Sequence, residues 1–255
     1  MKNITSRYFA VAFILAAAFS CAQVVRADNN LVLNGDFETT SGAASGQMRA
    51  GYTVVSDWTT RGYNFLFASG AADNGGANGV DGRIKLWGPN DGSNNGLPAS
   101  SPTGGNFVAA DGAYEVDAIT QTVSNLFVGH TYSLSFYWAG AQQEGFTGPT
   151  TEAWQVSLGS DTQTTAVVDN ASHGFTGWMQ QTFNFTATTN TEVLSFLAKG
   201  TPAGVPPFSL LDGVSMTDVG TPSPTPEPST LQYAGVAGLF VFAGLRRFFR
   251  RNVQA

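Results

Sequence analysis

The sequence predicts an all-β domain built as an antiparallel sandwich of two sheets. Three observations indicate this fold class. Apolar and polar residues alternate with a period of two in many short segments, glycine, asparagine, aspartate and proline separate those segments, and no segment from 28 to 221 shows the periodicity of an amphipathic helix. A series of many short strands joined by glycine-rich turns is typical of two packed sheets, because each sheet then buries its apolar face against the other.

The predicted strands follow one another along the chain with turn residues between them. The clearest is TYSLSFYWAG, in which aromatic or aliphatic residues occupy every second position. Trp58, Trp154 and Trp178 lie on patterned segments, so we expect them to pack in the core. The predicted strands are Gly51–Trp58, Arg83–Trp87, Asn106–Ala110, Ala118–Leu126, Thr131–Gly140, Ala153–Gly159, Trp178–Thr188, Glu192–Gly200 and Phe208–Val219.

Residues 1–27 have the layout of a secretory signal peptide. Lys2 and Arg7 precede an apolar run, and a cleavage site with small residues ends at Ala27, with an earlier alternative at Ala22. The single cysteine, Cys21, lies in this segment. A mature domain that begins after Ala27 therefore needs no disulfide in an oxidising compartment.

The C-terminal segment combines three features in a fixed order. Residues 221–230 are rich in proline, which favours an extended and solvated backbone. Leu231–Leu245 contains fifteen uncharged residues. As a helix this run would span roughly 22 Å, against a hydrocarbon core roughly 30 Å thick. Four arginines follow and would stay on the cytoplasmic side of a membrane, namely Arg246, Arg247, Arg250 and Arg251.

The order of these features resembles the PEP-CTERM sorting signal of bacteria that make exopolysaccharide. The matching motif consists of Pro226, Glu227, Pro228 and Ser229. The resemblance implies that an exosortase, a membrane protease, removes the tail, so that the protein is secreted or held at the cell surface. Contact with the membrane would then occur only through the short sorting helix at 231–251. An ordinary C-terminal anchor helix is the alternative.

The region between the terminal segments, which we predict to be one domain over residues 28–220, is strongly acidic. From Asp28 to Glu227 there are eighteen acidic and five basic side chains, a net charge of −13. A surface of this sign repels nucleic acid and anionic membranes. We therefore predict no nucleic-acid partner.

Four stretches of this domain resemble the galactose-binding-like jelly-roll domains, which include many carbohydrate-binding modules. They are NLVLNGDFE, QTVSNLFVGHTYSLSFYWA, GWMQQTFNFTAT and LLDGVSM, in the expected order. The resemblance implies a jelly roll with a polysaccharide ligand. Between Thr59 and Thr103 the chain departs from a compact module of this kind, because it carries a long insertion rich in glycine, asparagine and aspartate.

The same resemblance implies a structural calcium ion that joins the first strand to the last. The matching positions are Asp36 and Glu38 near the start and Asp212 near the end. Calcium takes six to eight oxygen ligands, including backbone carbonyls, so few side chains are needed. The alternative is that Asp36 belongs to a simple turn and that Asp212 is an ordinary loop acid.

Aromatic residues beside loops are the candidates for stacking on sugar rings. Sugar sites combine such rings with polar groups that hold hydroxyls. Trp87, Tyr63 and Tyr114 flank predicted loops, and Arg83 and Asp111 lie near them in sequence. We predict Trp87, Tyr63, Tyr114 and Arg83 as ligand-binding residues, with plain packing as the alternative.

Catalytic motifs are missing from the sequence. It has two histidines and no G-x-S-x-G elbow, metal-binding histidine pair or phosphate-binding loop. We therefore predict a non-enzymatic protein that binds polysaccharide. A structural or adhesive surface protein without a sugar site is the second hypothesis. A glycoside hydrolase that uses a carboxylate pair, for which Glu144 and Glu152 in one predicted loop are candidates, is the third.

Overall fold

The computed structural model describes residues 30–221, so the predicted signal peptide and the predicted sorting segment lie outside the described residues. Within 30–221 the only helical element is a 3-10 turn at Pro89–Asp91, and no helix is long and apolar enough to cross a membrane. The strands are β1 Thr40–Gly42, β2 Gly46–Gln47, β3 Thr53–Val55, β4 Asn64–Phe67, β5 Ala77–Gly79, β6 Gly82–Ile84, β7 Phe107–Asp111, β8 Ile119–Ser124, β9 Thr131–Gln142, β10 Thr150–Leu158, β11 Asp161–Thr164, β12 Val168–Asn170, β13 Met179–Thr186, β14 Thr191–Thr201 and β15 Pro207–Gly220.

Two large sheets form the sandwich. The larger has eight strands in the order β13-β9-β15-β7-β4-β2-β5-β6, and the smaller has the order β11-β10-β14-β8, with β12 also paired to β10. Strands β1 and β3 form a separate pair. Neighbouring strands run antiparallel, except for a single parallel pairing of β2 with β5. The prediction of an all-β, antiparallel two-sheet sandwich is confirmed.

The main core lies between the two sheets and is rich in aromatic side chains. Phe136 of the larger sheet packs edge-on against Phe196 of the smaller sheet, with 5.1 Å between the ring centres. Trp154 is fully buried, and its indole nitrogen donates to the carbonyl of Leu210 across the sandwich at 3.0 Å. Trp58 is also buried in this core, so the packing predicted for both tryptophans is confirmed.

A second hydrophobic cluster covers the other face of the larger sheet. Strands β4 and β7 are buried at every position, which requires apolar cover on both sides of the sheet. The cover comes from the predicted insertion, whose Ile84, Leu86 and Leu97 pack with Phe208 of β15. The insertion is therefore part of the folded domain, and it contributes β5 and β6 to the edge of the larger sheet.

Four predicted strands are shorter than their sequence patterns indicate, among them β3 and β6. β3 ends at Val55 because Asp57 adopts a left-handed backbone conformation, with φ of 69°. β6 ends at Ile84, and the chain then leaves the strand pairing to meet the end of β9, where Trp87 donates its amide to Gln142. Trp178 lies just outside β13 and packs, half-buried, against the second cluster instead of the main core.

Candidate functional site

A cavity of about 370 Å³ opens at one end of the larger sheet. Strands β7 and β9 end here, β15 begins here, and the β5–β6 turn approaches from the side. We call it the end cavity. Its polar and aromatic lining residues are Tyr63, Asp81, Asp111, Tyr114, Gln143 and Phe146.

The loop after β7 that carries Tyr114 is held by backbone hydrogen bonds on both sides. The amide of Gly112 donates to Pro207 at 2.9 Å, and its carbonyl accepts from Gly200 at 3.1 Å. A Cβ at Gly112 would lie 2.4 Å from the Gly200 nitrogen, so only glycine allows this approach. The amide of Tyr63 donates to Glu115 at 3.0 Å, which fixes the far end of the loop.

Tyr63 and Tyr114 form the aromatic wall of the end cavity. Their rings are nearly perpendicular, at 83°, with centres 5.2 Å apart. Tyr63 is 5% exposed, whereas Tyr114 is 49% exposed and presents its ring to solvent. The charges of Asp81 and Glu115 raise the pKa of the Tyr114 phenol. Burial, together with the charges of Asp81 and Asp111, raises the pKa of Tyr63 to about 12, so this phenol stays neutral.

Asp111 brings a buried carboxylate to the floor of the end cavity. The residue is 1% exposed, and its Oδ1 accepts hydrogen bonds from the amides of Ala113 at 2.8 Å and Tyr114 at 3.1 Å. Its Oδ2 has no hydrogen-bond partner within residues 30–221. Burial raises the pKa of Asp111 to about 6, although the two amides favour its ionised form. The site therefore contains an acceptor oxygen that the described chain leaves unused.

The structure brings two of the four predicted ligand-binding residues to the end cavity and leaves two outside its lining. Arg83 is exposed, and its Nε donates to Asn78 at 3.0 Å. Trp87 is half-buried, its ring stacks on His173 with centres 4.0 Å apart, and its indole nitrogen donates to the carbonyl of Phe146 at 2.8 Å. Trp87 thus supports the loop of Phe146 instead of lining the cavity.

Sequence reasoning missed three lining residues, namely Asp81, Gln143 and Phe146. Asp81 sits in the GVDG turn that joins β5 to β6, and Phe146 sits in a glycine-flanked loop after β9. An exposed aromatic side chain in a glycine-rich loop is the signal that could have identified Phe146, which is 36% exposed.

A second cavity, of about 400 Å³, lies on the other side of Trp87. Its lining is mostly polar and includes Asn95, Asn170, His173 and Phe175. The backbone of His173 is tied down, since its carbonyl accepts from Ser93 at 2.8 Å and from Asn95 at 2.9 Å. The stacked Trp87 covers one face of the His173 ring, so this cavity offers a ligand less free aromatic surface than the end cavity does.

The predicted calcium residues are only partly assembled. Asp212 is fully buried, its Oδ2 accepts from the hydroxyls of Ser101 and Thr103, and its Oδ1 has no hydrogen-bond partner in the described part of the chain. Glu38 lies close enough to raise the pKa of Asp212, which burial mainly brings to about 6. Asp36 is exposed and receives only a 3.5 Å hydrogen bond from the amide of Glu38.

The two carboxylates repel each other, and oxygen groups of this kind are suitable ligands for a hard cation. The carboxylates of Glu38 and Asp212 lie close to two hydroxyl groups. The unused Asp212 oxygen could coordinate a cation. Residues 30–221 contain no cluster of three or more histidine, cysteine, aspartate or glutamate side chains suited to a metal ion. A calcium ion here would therefore depend on hydroxyl, carbonyl and water oxygens in addition to Glu38 and Asp212.

Of the two carboxylates that we considered for a hydrolase, Glu144 and Glu152, Glu152 is buried. Glu152 lies in β10, is fully buried, and accepts from the Thr150 hydroxyl at 2.5 Å. Burial raises the pKa of Glu152 to about 7. Glu144 lies in the loop after β9, 3.8 Å from the Lys85 ammonium. Because Glu152 is enclosed between the sheets, the two do not flank a cleft, and the expectation of a shared loop was wrong.

Comparisons with known proteins return only distant structural likenesses. No family model and no curated protein matches the chain. TmCBM61 in complex with β-1,4-galactotriose is 15% identical, with a TM-score of 0.37, and the match covers 74% of this chain and 98% of that one. The CBM22-1 xylan-binding domain of Xyn10C from Paenibacillus barcinonensis is 13% identical, with a TM-score of 0.37 and coverage of 78% and 99%.

The enzymatically active domain of tailspike protein 4 from bacteriophage CBA120 is similar at the same level. It is 13% identical, with a TM-score of 0.35, and the match covers 74% of this chain and 21% of that one. Similarity this distant assigns neither a family nor a function. We therefore infer function from the side chains of the end cavity.

Proposed function

We propose that this domain binds a polysaccharide without cleaving it, and that the end cavity holds one sugar unit of the chain. The observation that carries this proposal is the exposed ring of Tyr114 beside two carboxylates. Sugar recognition needs an apolar ring face for the C–H side of the sugar and acceptors for its hydroxyls. Tyr114 and Phe146 supply the first, and Asp81, Asp111 and Gln143 supply the second.

The position and size of the end cavity favour a single sugar unit over a long stretch of chain. Its volume of about 370 Å³ is at the lower end of the range for small-molecule sites. Over β4 and β7 the second hydrophobic cluster covers the outer face of the larger sheet, so a glycan chain cannot lie across that part of the face. A chain end, or one side unit of a branched glycan, fits this geometry.

The experiment that tests this function is a glycan-array screen of the full chain in mild detergent, followed by calorimetry with the best ligand. We expect Tyr114→Ala to weaken binding at least about tenfold, as is usual for a central aromatic contact. The matched control is Phe127→Ala, which removes an exposed ring that packs on His130, away from the end cavity. A folded protein that binds no glycan would instead favour the structural or adhesive surface protein.

We also propose a structural calcium ion at Glu38 and Asp212. The unused Asp212 oxygen and the nearby Glu38 carboxylate support it, because a buried carboxylate beside a second carboxylate destabilises the fold unless a cation neutralises them. The ion would link the N-terminal segment to β15 and would take no part in sugar chemistry. Asp36 is exposed and would contribute at most a distant charge.

The destination of the protein is proposed from its terminal sequences. Residues 1–27 would direct secretion, and the motif Pro226, Glu227 and Pro228 would direct removal of the C-terminal tail by an exosortase. The mature protein would then be free or bound at the cell surface. Mass spectrometry of the secreted protein tests this, since alanine substitution of the three motif residues should leave the tail attached.

A further inference from the structure

We propose that the end cavity selects a sugar that carries a protonated amine, as in a de-N-acetylated amino sugar, over neutral and acidic sugars. This inference rests on the proposed function, since it names the class of sugar that the same site takes. Two carboxylates, one of which has an unused acceptor oxygen, and a set of aromatic rings converge on one cavity, and both kinds of group favour a cation.

The charge of the cavity is not balanced by the chain. Asp81 and Asp111 line it, and none of the basic side chains in residues 30–221 does. The nearest basic residues in sequence are already engaged, since Arg83 donates to Asn78 and Lys85 pairs with acids of its own neighbourhood. A ligand that brings a positive charge would offset part of this negative charge, whereas a neutral hydroxyl would not.

The free oxygen of Asp111 supplies a specific partner for an ammonium group. Its Oδ1 is saturated by two backbone amides, so the side chain cannot rotate away without losing both bonds. Its Oδ2 is left as a fixed acceptor without a donor among the described residues. An ammonium group has three donors and no acceptor, which matches a site lined by acceptors.

The aromatic rings favour a cation as well. Tyr63 and Tyr114 are in edge-to-face contact, with centres 5.2 Å apart, so the two rings form one continuous aromatic wall, most of it presented by the exposed Tyr114. The third ring, that of Phe146, completes the wall. Cations are attracted to ring faces, most strongly where water is displaced. A sugar carboxylate would meet the same rings and two like charges, so acidic sugars should be excluded.

The test compares tetrasaccharides of the same length by calorimetry with the full chain, at one ionic strength. The probes are the fully de-N-acetylated glucosamine tetramer, its N-acetylated form and cellotetraose, with putrescine as a cation that lacks a sugar. We expect the amine tetramer to bind at least about tenfold tighter than either neutral tetramer, as for hydrogen bonds to charged groups. Putrescine should bind much more weakly than the amine tetramer.

Asp81→Asn is the decisive variant, because Asp81 is exposed on a turn and its loss should not disturb folding. We expect it to weaken the amine tetramer about tenfold and cellotetraose by a clearly smaller factor, because the amide oxygen of asparagine still accepts a hydrogen bond from a hydroxyl but carries no charge. The matched control, Asp161→Asn, removes the same charge from an exposed position in the smaller sheet and should change neither affinity.

The outcomes separate this inference from the function on which it rests. Equal binding of amine and neutral tetramers would overturn the amine selectivity and leave sugar binding intact. Failure of every tetrasaccharide to bind the folded protein, together with a negative array, would overturn both. If Asp161→Asn weakened amine binding as much as Asp81→Asn does, the preference for the amine tetramer would reflect general attraction by an acidic surface and not the end cavity. Putrescine binding as tightly as the amine tetramer would show that no sugar is recognised.

Discussion

The indole nitrogen of Trp87 donates a 2.8 Å hydrogen bond to the backbone carbonyl of Phe146, and this bond ties the inserted segment to a loop of the end cavity. On its other side the Trp87 ring stacks on His173. Trp87, which we predicted to touch a ligand, therefore positions Phe146, which lines the end cavity. The hydrogen bond and the ring contact can be separated by mutation.

Trp87→Phe should weaken sugar binding about fivefold, because it keeps a ring on His173 but removes a hydrogen bond worth about 1 kcal/mol. Calorimetry with the best array ligand measures this effect. Trp178→Phe is the matched control, since the indole nitrogen of Trp178 is buried without a hydrogen-bond partner in the described residues. Equal losses in the two variants would mean that ring packing, and not the bond to Phe146, positions the loop.

Relative to Asp111→Asn, the affinity of the wild-type protein for the amine tetramer should rise as the pH increases through about 6. Burial raises the pKa of Asp111 to about that value, and only the ionised carboxylate attracts an ammonium. The amines of the ligand also titrate with pH, and the ratio of the two affinities cancels this shared effect. Tyr63, Asp81, Tyr114 and Glu115 are the other titratable groups around Asp111. Calorimetry of both proteins from pH 5 to pH 7 measures the ratio, and a ratio that does not change with pH would contradict a role for Asp111.

Glu152→Gln should stabilise the protein at high pH and have little effect at low pH. The pKa of Glu152 is raised from 4.5 to about 7, so its stabilising contribution is complete below about pH 4.5 and is lost as the pH rises through about 7. The expected gain at pH 8 is about 2–3 kcal/mol in the free energy of unfolding. Denaturant unfolding at pH 5 and pH 8 measures it.

The control for that experiment is Glu192→Gln, whose effect should have the opposite sign. Burial acts to raise the pKa of Glu192, but hydrogen bonds from Thr188 and Thr189 outweigh it and lower the pKa. Its contribution is therefore present above the unfolded pKa and lost as the pH falls, so Glu192→Gln should destabilise the protein at pH 8. The same sign for both glutamates would contradict the assigned burial of Glu152.

Removal of calcium should lower the melting temperature of the wild-type protein. EDTA would expose the mutual repulsion of Glu38 and Asp212, and added calcium should restore stability. Asp212→Asn should abolish the response, while Asp36→Asn should keep it because Asp36 is exposed. A melting temperature that is the same in EDTA and in calcium would contradict the proposed calcium ion. Asp212→Asn would then stabilise the fold, because it removes a buried charge.

The strands of this domain could be predicted because alternation is a local property of a strand. Successive side chains point to opposite faces, so the pattern in β9 marks its core side without reference to any other segment. The burial of Trp58 and Trp154 followed from the same pattern. The predicted ends were less accurate, as in β3, where the left-handed turn at Asp57 depends on the surrounding loops.

The end cavity, in contrast, depends on strand order, which no local pattern contains. β15 pairs with both β7 and β9, so Phe208 lies opposite Asp111 and Pro207 lies opposite Gln142. The loops after β7 and β9 are brought together by this register alone. The fold likewise turned the insertion between Thr59 and Thr103 into a cover for the larger sheet. Alternation along one strand sets which residues face a core, but the pairing of distant strands sets which loops meet, and this protein's candidate site is made where loops meet.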